Sequence, residues 1–246
     1  MRASLMDVKV QNLVARIRGA GALLVLAAVQ YAALEYVAAA AWHNPSYNYA
    51  VDFISDLGNP VPGDVFQGRL VDSPLHLVMD TAFIAQGALF IAAGVLLLAA
   101  VNAGRFRRAL LGLAIAHGVG VILVGFCHES SAALHNGVIV VHSIGAAATI
   151  IAGNVLPILV GTGGAALGAP RWLRAAGTAL GVLGLAAFVL LQADRPLYDS
   201  YGGVPERIAV YTILAFELLL GGILLIRPPR QRTLPSVPNS PERLAS

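Results

Sequence analysis

Cysteine is all but absent: Cys127 is the only one in 246 residues. That excludes an internal disulfide and any metal site built from several thiolates. A lone thiol in apolar surroundings reads as packing rather than as a nucleophile. Charge is scarce as well, at 12% of residues against 57% hydrophobic. Soluble domains run at about 25% charged, so half that share points to lipid as the surrounding solvent. Lysine is nearly missing, with Lys9 alone among arginines, and the net charge of +3 is small. No basic patch is present to hold a nucleic acid, and no phosphate-cradling loop, dinucleotide fingerprint or zinc-finger spacing occurs. An internal repeat is missing too, which leaves an inverted-repeat transporter without support.

What is present is a series of apolar runs. Six of them, over residues 19–42, 75–101, 109–126, 133–160, 175–192 and 206–226, are long enough to cross a bilayer as helices, or nearly so, since a span needs about 20 residues. The chain reads as an all-α, polytopic integral membrane protein of six transmembrane helices. Residues 1–18 form a polar, basic N-terminal segment, 19–226 the membrane domain, and the proline-containing 227–246 a disordered tail. Ala38 to Ala41 offers small residues for signal cleavage, but the first run is longer than a signal core, and Gln30 and Glu35 within it fit a retained helix. Thirteen of the sixteen basic residues fall in the N-terminal segment, the second and fourth loops and the tail, leaving Arg69, Arg195 and Arg207 opposite. By the positive-inside rule both termini are cytoplasmic, and the expected location is a plasma (inner) membrane. Gly177 and Gly181 form a small-xxx-small pair in the fifth span, and Ala116 and Gly120 another in the third, spacings that let helices approach closely.

The longest polar interruption runs from His43 to Ser73 and carries Asp52, Asp56, Asp64 and Asp72 with one cation, Arg69. Its Phe53, Ile54, Leu57, Val61, Val65 and Phe66 predict that it folds back over the bundle mouth. At its centre, Ser55-Asp56-Leu57-Gly58-Asn59-Pro60 reads either as a reactive hydroxyl–carboxylate pair or as a turn, with Gly58 at positive φ and Asp56 capping it. His76 and Asp80 are four apart and share a helix face, a spacing that suits a metal or an acid–base pair. The rival reading is a helix start, capped by Asp72 or Ser73 and opened by Pro74. His128, His135 and His142 recur every seven residues, about 10 Å apart along a helix, too far to share one ion. His135 is expected near the helix mouth with His142 two turns below on the same face, and His117 as a bond between helices. Glu35 and Glu217 lie inside spans, where a carboxylate costs roughly 2.5–3.5 kcal/mol on insertion scales, so both face protein or water. Pro205 predicts that the sixth helix opens at Glu206, where the dipole favours a carboxylate; Arg207 is then expected to pair with Asp56 or another loop acid.

Three stretches carry a resemblance: Phe53-Ile54-Ser55-Asp56-Leu57-Gly58, then GFCHESSAALHNGVIVVHSIGA with GNVLPIL, then YGGVPERIAVYTILAFELLLGGILL. Together they resemble the bacterial membrane family catalogued as domain of unknown function 998, over most of 19–226. More distantly, the Ile-Ser-Asp motif is similar to DRAM/Frag/Sfk-type membrane proteins, some linked to lipid handling. The family pattern implies six helices and covers Ser55, Asp56, Gly58, His135, Glu206 and Arg207; Cys127-His128 departs from its Phe-Pro-like turn. It implies no established reaction.

The resulting expectation is a polar site at the extracytoplasmic face, formed by Asp56, His76, Asp80 and His135, with His76, Asp80 and His135 holding a divalent metal if one binds. Ser55, Gly58, His142, Glu206, Arg207, Glu35 and Glu217 form the surrounding polar set. The site acts on or binds lipid, the bilayer itself being the one secure partner. The alternative is a non-catalytic membrane subunit or transporter accessory protein whose polar residues are a structural network.

Overall fold

A computed structural model describes residues 2–98, 104–193 and 195–226. The chain runs through α1 (Arg2–Ala40), strands β1 (Asp64–Phe66) and β2 (Arg69–Val71), α2 (His76–Leu98) and α3 (Arg105–Phe126). It continues with α4 (Ser131–Asn136), α5 (Val138–Gly163), α6 (Arg171–Ala193), α7 (Arg195–Tyr201) and α8 (Gly203–Ile226). Short 3-10 turns occupy Ser55–Gly58 and Gly164–Leu167. Six helices, α1, α2, α3, α5, α6 and α8, are long and apolar enough to cross a bilayer. The tail expected over 227–246 and the end of the second span at 99–101 lie outside the described residues.

Helix bounds differ from the hydropathy reading where local chemistry, not apolarity, decides. The polar N-terminal segment continues α1 as helix, because neither proline nor glycine interrupts it before Gly19. The run at 133–160 is broken at Gly137, whose φ of 81° ends α4 and opens α5. Pro205 lies inside the first turn of α8 rather than ahead of it, so the helix opens at Gly203 and Glu206 sits in its first turn. The connection before it holds α7.

The six spans stand in a closed ring. Each crossing helix packs on the next in sequence, and α8 returns to α1. Glycine faces glycine at three of the seams: Gly21 against Gly221, Gly87 against Gly118, and Gly120 against Gly145, so that an added Cβ on any of them would collide with backbone oxygen. Gly177 and Gly181 of α6 lie against the Pro157 and Asn154 carbonyls of α5. In lipid, where apolar burial gives helices no drive to associate, this close van der Waals contact holds them together. Asn154, fully buried, adds a polar tie: its amide donates to Ile150 O and Ala209 O (2.8 Å) and accepts from the Thr212 hydroxyl (2.8 Å).

One end of the ring is covered by the segment between α1 and α2. Ile54, Leu57, Phe66 and Val71 are buried in one cluster with Tyr31, Met79, Phe83 and Val121, and Phe53 is buried too. Each such side chain contributes roughly 1.5–3 kcal/mol when fully buried. Val65, expected inside, is 65% exposed. It lies on β1 between the inward Asp64 and Phe66, and alternation along a strand forces it outward. The hairpin pairs Asp64 with Val71 and Phe66 with Arg69. Its two-residue turn, Gln67-Gly68, takes positive φ at both positions (48° and 82°), as this turn type requires.

Candidate functional site

The polar residues at the covered end sort into those that hold the loop and those that do not. Arg69 meets Asp56 bidentately, Nη2 to Oδ1 at 3.0 Å and Nε to Oδ2 at 3.1 Å, while Oδ2 also accepts the Phe53 amide. The guanidinium lies over the Phe53 ring, 4.4 Å from its centre. Glu206 accepts the Ile54 amide. Arg207 Nη1 donates to the carbonyls of Tyr49 (2.7 Å), Asp52 (2.8 Å) and Gly203 (3.1 Å), and Nη2 to the Tyr47 hydroxyl. Its Nε lies 3.4 Å from Glu35 Oε1, which also accepts from Tyr211. Ser73 donates to the Leu57 carbonyl. Asp64 ties the hairpin to the start of α4, accepting from Ser131 N and the Asn59 amide. Burial works to raise the Asp64 pKa, but these donors outweigh it and hold the carboxyl below its ordinary value.

A second set is linked mainly through side chains. Ser55 Oγ donates to Glu129 Oε1 at 2.6 Å and lies 3.5 Å from Glu206 Oε1. Glu129 Oε2 is 3.6 Å from His142 Nε2, and His142 Nδ1 is fixed at 2.6 Å from the Cys127 carbonyl. Because that carbonyl can only accept, Nδ1 carries hydrogen and a neutral His142 presents a bare Nε2 to Glu129. Burial, and then the charge of Asp56, push the Glu129 carboxyl well above its usual pKa, with the Ser55 hydrogen bond opposing. Beside it His128 Nε2 lies 3.1 Å from Asp80 Oδ2, and this carboxylate raises the imidazole pKa against the lowering effect of burial.

Ser55, Glu206 and His142 line the upper part of a cavity of about 60 Å³ inside the ring. Its walls are apolar (Phe83, Val121, Val124, Leu214) and its inner end carries Gln86, His117 and Thr149. At roughly 10–15 Å³ apiece it has room for on the order of four to six waters. A separate groove of about 540 Å³ opens between α6 and α8, lined by Leu180, Leu183, Val204, Ile208, Arg207 and Tyr211.

A family model described as "Protein of unknown function (DUF998)" matches residues 24–222, well over half of the chain. The chain belongs to the DUF998 family. Comparisons with curated proteins and with solved structures gave no match.

Within this DUF998 chain the residues expected to converge do so only in part. Asp56 and Asp80 are buried under the loop, with different partners. His76 is the first residue of α2 and half-buried, a turn above Asp80. His135 is exposed, its Nδ1 bonded to Ser131 O of its own short helix. The Gly137 break is the reason: it turns α4 away from α5, so His135 and His142 do not share a face. Among the described residues no three His, Cys, Asp or Glu side chains gather as metal ligands, so the set His76, Asp80 and His135 does not form one.

Other expectations are corrected by partner choice. Asp56 takes Arg69 rather than Arg207, and Arg207 holds the loop through carbonyls. Ser73 bonds across to Leu57 rather than capping α2. Gly58 does not adopt positive φ; it lies in the 3-10 turn, and a Cβ there would stand 2.8 Å from Asp80 Oδ1. In line with expectation, Glu35 meets Arg207 and Tyr211, Glu217 meets Gln86 (2.7 Å), and His117 bonds the Thr149 carbonyl between helices. Glu129, His128 and Arg69 belong to the same polar cluster and are not among the residues expected to form the site. The available signal was the polar run His128-Glu129-Ser130 between two apolar spans.

Proposed function

We propose that this membrane protein binds a lipid at its loop-covered end and presents an acid–base centre, Ser55, Glu129, His142 and Glu206, to the lipid's polar head. The observation that carries this is the Ser55 hydroxyl, 2.6 Å from one carboxyl and 3.5 Å from a second. Arg207, Arg69, Asp64 and Ser73 already pin the loop, so Ser55, Glu129 and His142 are surplus to it. A group that gains nothing for the scaffold and costs desolvation is a functional candidate. Volume supports lipid in the groove rather than in the inner cavity: about 540 Å³ is in the range of ligand sites, whereas about 60 Å³ suits water. The groove and the inner cluster meet on α8, where Arg207 lines one and Glu206 the other. Acids outnumber arginines here, which favours a head group with amine or hydroxyl donors. The arginine distribution supports an orientation with this end outside the cytoplasm and both termini inside.

Native mass spectrometry of the full chain released from nanodiscs of zwitterionic phospholipid tests the reading. Retained lipid is expected in the wild type and its loss in Ile208→Trp, which fills the groove. E129Q should retain lipid but abolish any change in its head group. Equal lipid retention by wild type and I208W would refute the seat.

A second reading, a non-catalytic subunit, draws on Arg207 and Arg69, whose donors serve the loop. A stable protein complex in gentle detergent, with lipid neither retained nor altered, would select it.

A further inference from the structure

The inner end of the cavity holds polar atoms that the acid–base reading does not use. His117 is 2% exposed and its Nδ1 lies 2.9 Å from the Thr149 carbonyl. Nδ1 is therefore the protonated nitrogen of the neutral ring, and Nε2 is an acceptor. That Nε2 has no protein hydrogen-bond partner, nor has Oε1 of Gln86, which is also 2% exposed. Both residues line the cavity. Behind Gln86, Glu217 accepts its amide at 2.7 Å and leaves Oε2 without a protein partner.

Buried acceptors without protein donors call for water when the space beside them is large enough. Length agrees with volume. His142 at the outer end and Thr149 at the inner end are seven residues apart on α5, about 10 Å of rise. A file of four waters with its two end links reaches about 14 Å at hydrogen-bond spacing. We propose that this cavity is a water-filled proton path from the loop-end carboxyl Glu206 to Nε2 of His117, which makes His117 an internal proton acceptor. The transfer balances without any co-reactant. An O–H bond at the outer carboxyl breaks, each water gains one proton and releases another, and an N–H bond forms at Nε2, giving an imidazolium that still donates through Nδ1. The titratable groups sharing the cavity with His117 are Tyr31 from α1, His142 from α5 and Glu206 from α8. From α2 comes the neutral Gln86 with Glu217 of α8 behind it, and the Phe90 ring packs 4.4 Å from the imidazole.

The experiment is water-edited nitrogen NMR on the full chain in nanodiscs, labelled at its six histidines, with His117 assigned by its loss in H117N. Magnetisation is expected to pass from water to His117 Nε2 in the wild type. It should fall severalfold in Ala146→Leu, whose side chain fills the cavity, with His142 and the helix content unchanged. Absence of transfer in the wild type overturns the proposal, and so does equal transfer in A146L, since water then enters by another route. Should A146L fail to fold, Ala146→Val and Glu206→Gln decide. A146V must lower the transfer, and E206Q must keep the water signal while removing the response of Nε2 to external pH; the opposite result in either sinks the idea. These readouts concern water and protons alone, so they stand or fall apart from lipid retention.

Discussion

Replacing Arg207 with methionine tests whether the loop is latched through one side chain. In the wild type, Arg207 reaches three carbonyls, the Tyr47 hydroxyl and Glu35, and is itself 7% exposed. Methionine keeps the apolar stem and removes every donor. Glu35, at 1% exposure, then retains only the Tyr211 hydroxyl. Breaking a buried pair from one side costs about 3–5 kcal/mol, because the remaining charge is uncompensated. Each lost charge-assisted bond is worth about 1.5–3 kcal/mol net, but the loss is smaller where a carbonyl returns to water. The Tyr49 and Asp52 carbonyls sit on the outer loop, so the expected total stays near 5 kcal/mol, between three and four powers of ten in the unfolding equilibrium. Reversible unfolding in mixed micelles measures it, and protease cleavage between Asp52 and Gly58 reports the freed loop. The double variant R207M/E35Q separates the terms: removing the stranded carboxylate should restore about 3 kcal/mol. A loss under about 1 kcal/mol in R207M, or a double variant worse than R207M, refutes the latch.

Three further outcomes are expected. Gly58→Ala places a Cβ 2.8 Å from Asp80 Oδ1 and 3.5 Å from the Phe83 ring. It should cost about 1–3 kcal/mol and raise loop proteolysis, and unchanged cleavage would show that Gly58 is not there for space. Resistance to heat should fall as pH rises from about 5 to about 8, because His128 and Glu129, outside the spans, have folded pKa values above their unfolded ones. The His128–Asp80 contribution is complete below the ordinary imidazole pKa and lost as pH rises through the raised one, and Glu129 is favoured folded only while it keeps its proton. E129Q should flatten the dependence; a melting temperature that climbs over this interval contradicts the assignment. Asn154→Ala, for all its full burial, should cost less than about 2 kcal/mol by the same micelle assay, since hydrogen bonds between helices in lipid are worth roughly 0.6–1.7 kcal/mol. A loss equal to that of R207M would mean the ring is held by polar ties rather than by glycine contacts.

The spans were legible because hydrocarbon demands a long apolar helix, a requirement strong enough to read from composition alone. Gly137 was not: one glycine inside an apolar run is tolerated or breaks the helix according to what packs around it. The loop's return over the mouth was legible from Phe53, Ile54, Leu57 and Phe66. The pairing of its acids was not, since proximity along the chain competes with proximity in the fold. Asp56 took Arg69, thirteen residues away, and left Arg207 to the backbone. His76 and Asp80 do share a helix face, but spacing is silent on depth, and one turn separates a rim position from a buried one. Glu129 was visible as an acid between spans. That it approaches Ser55, 74 residues earlier, depends on how the ring closes.

That closure has a consequence for how the protein is made. Five of the six seams join helices that follow one another in the chain, and each can form as the ribosome delivers the next span. The seam between α1 and α8 cannot. Glu35 enters the membrane 176 residues ahead of Tyr211, and Arg207 also arrives only with the last helix. For most of synthesis the nascent chain therefore carries an acid in its first span with no partner from α8. Any chain that stops before α8 keeps that defect, together with an uncovered Gly21 face, and so exposes to membrane quality-control proteases a polar mark that the finished ring conceals.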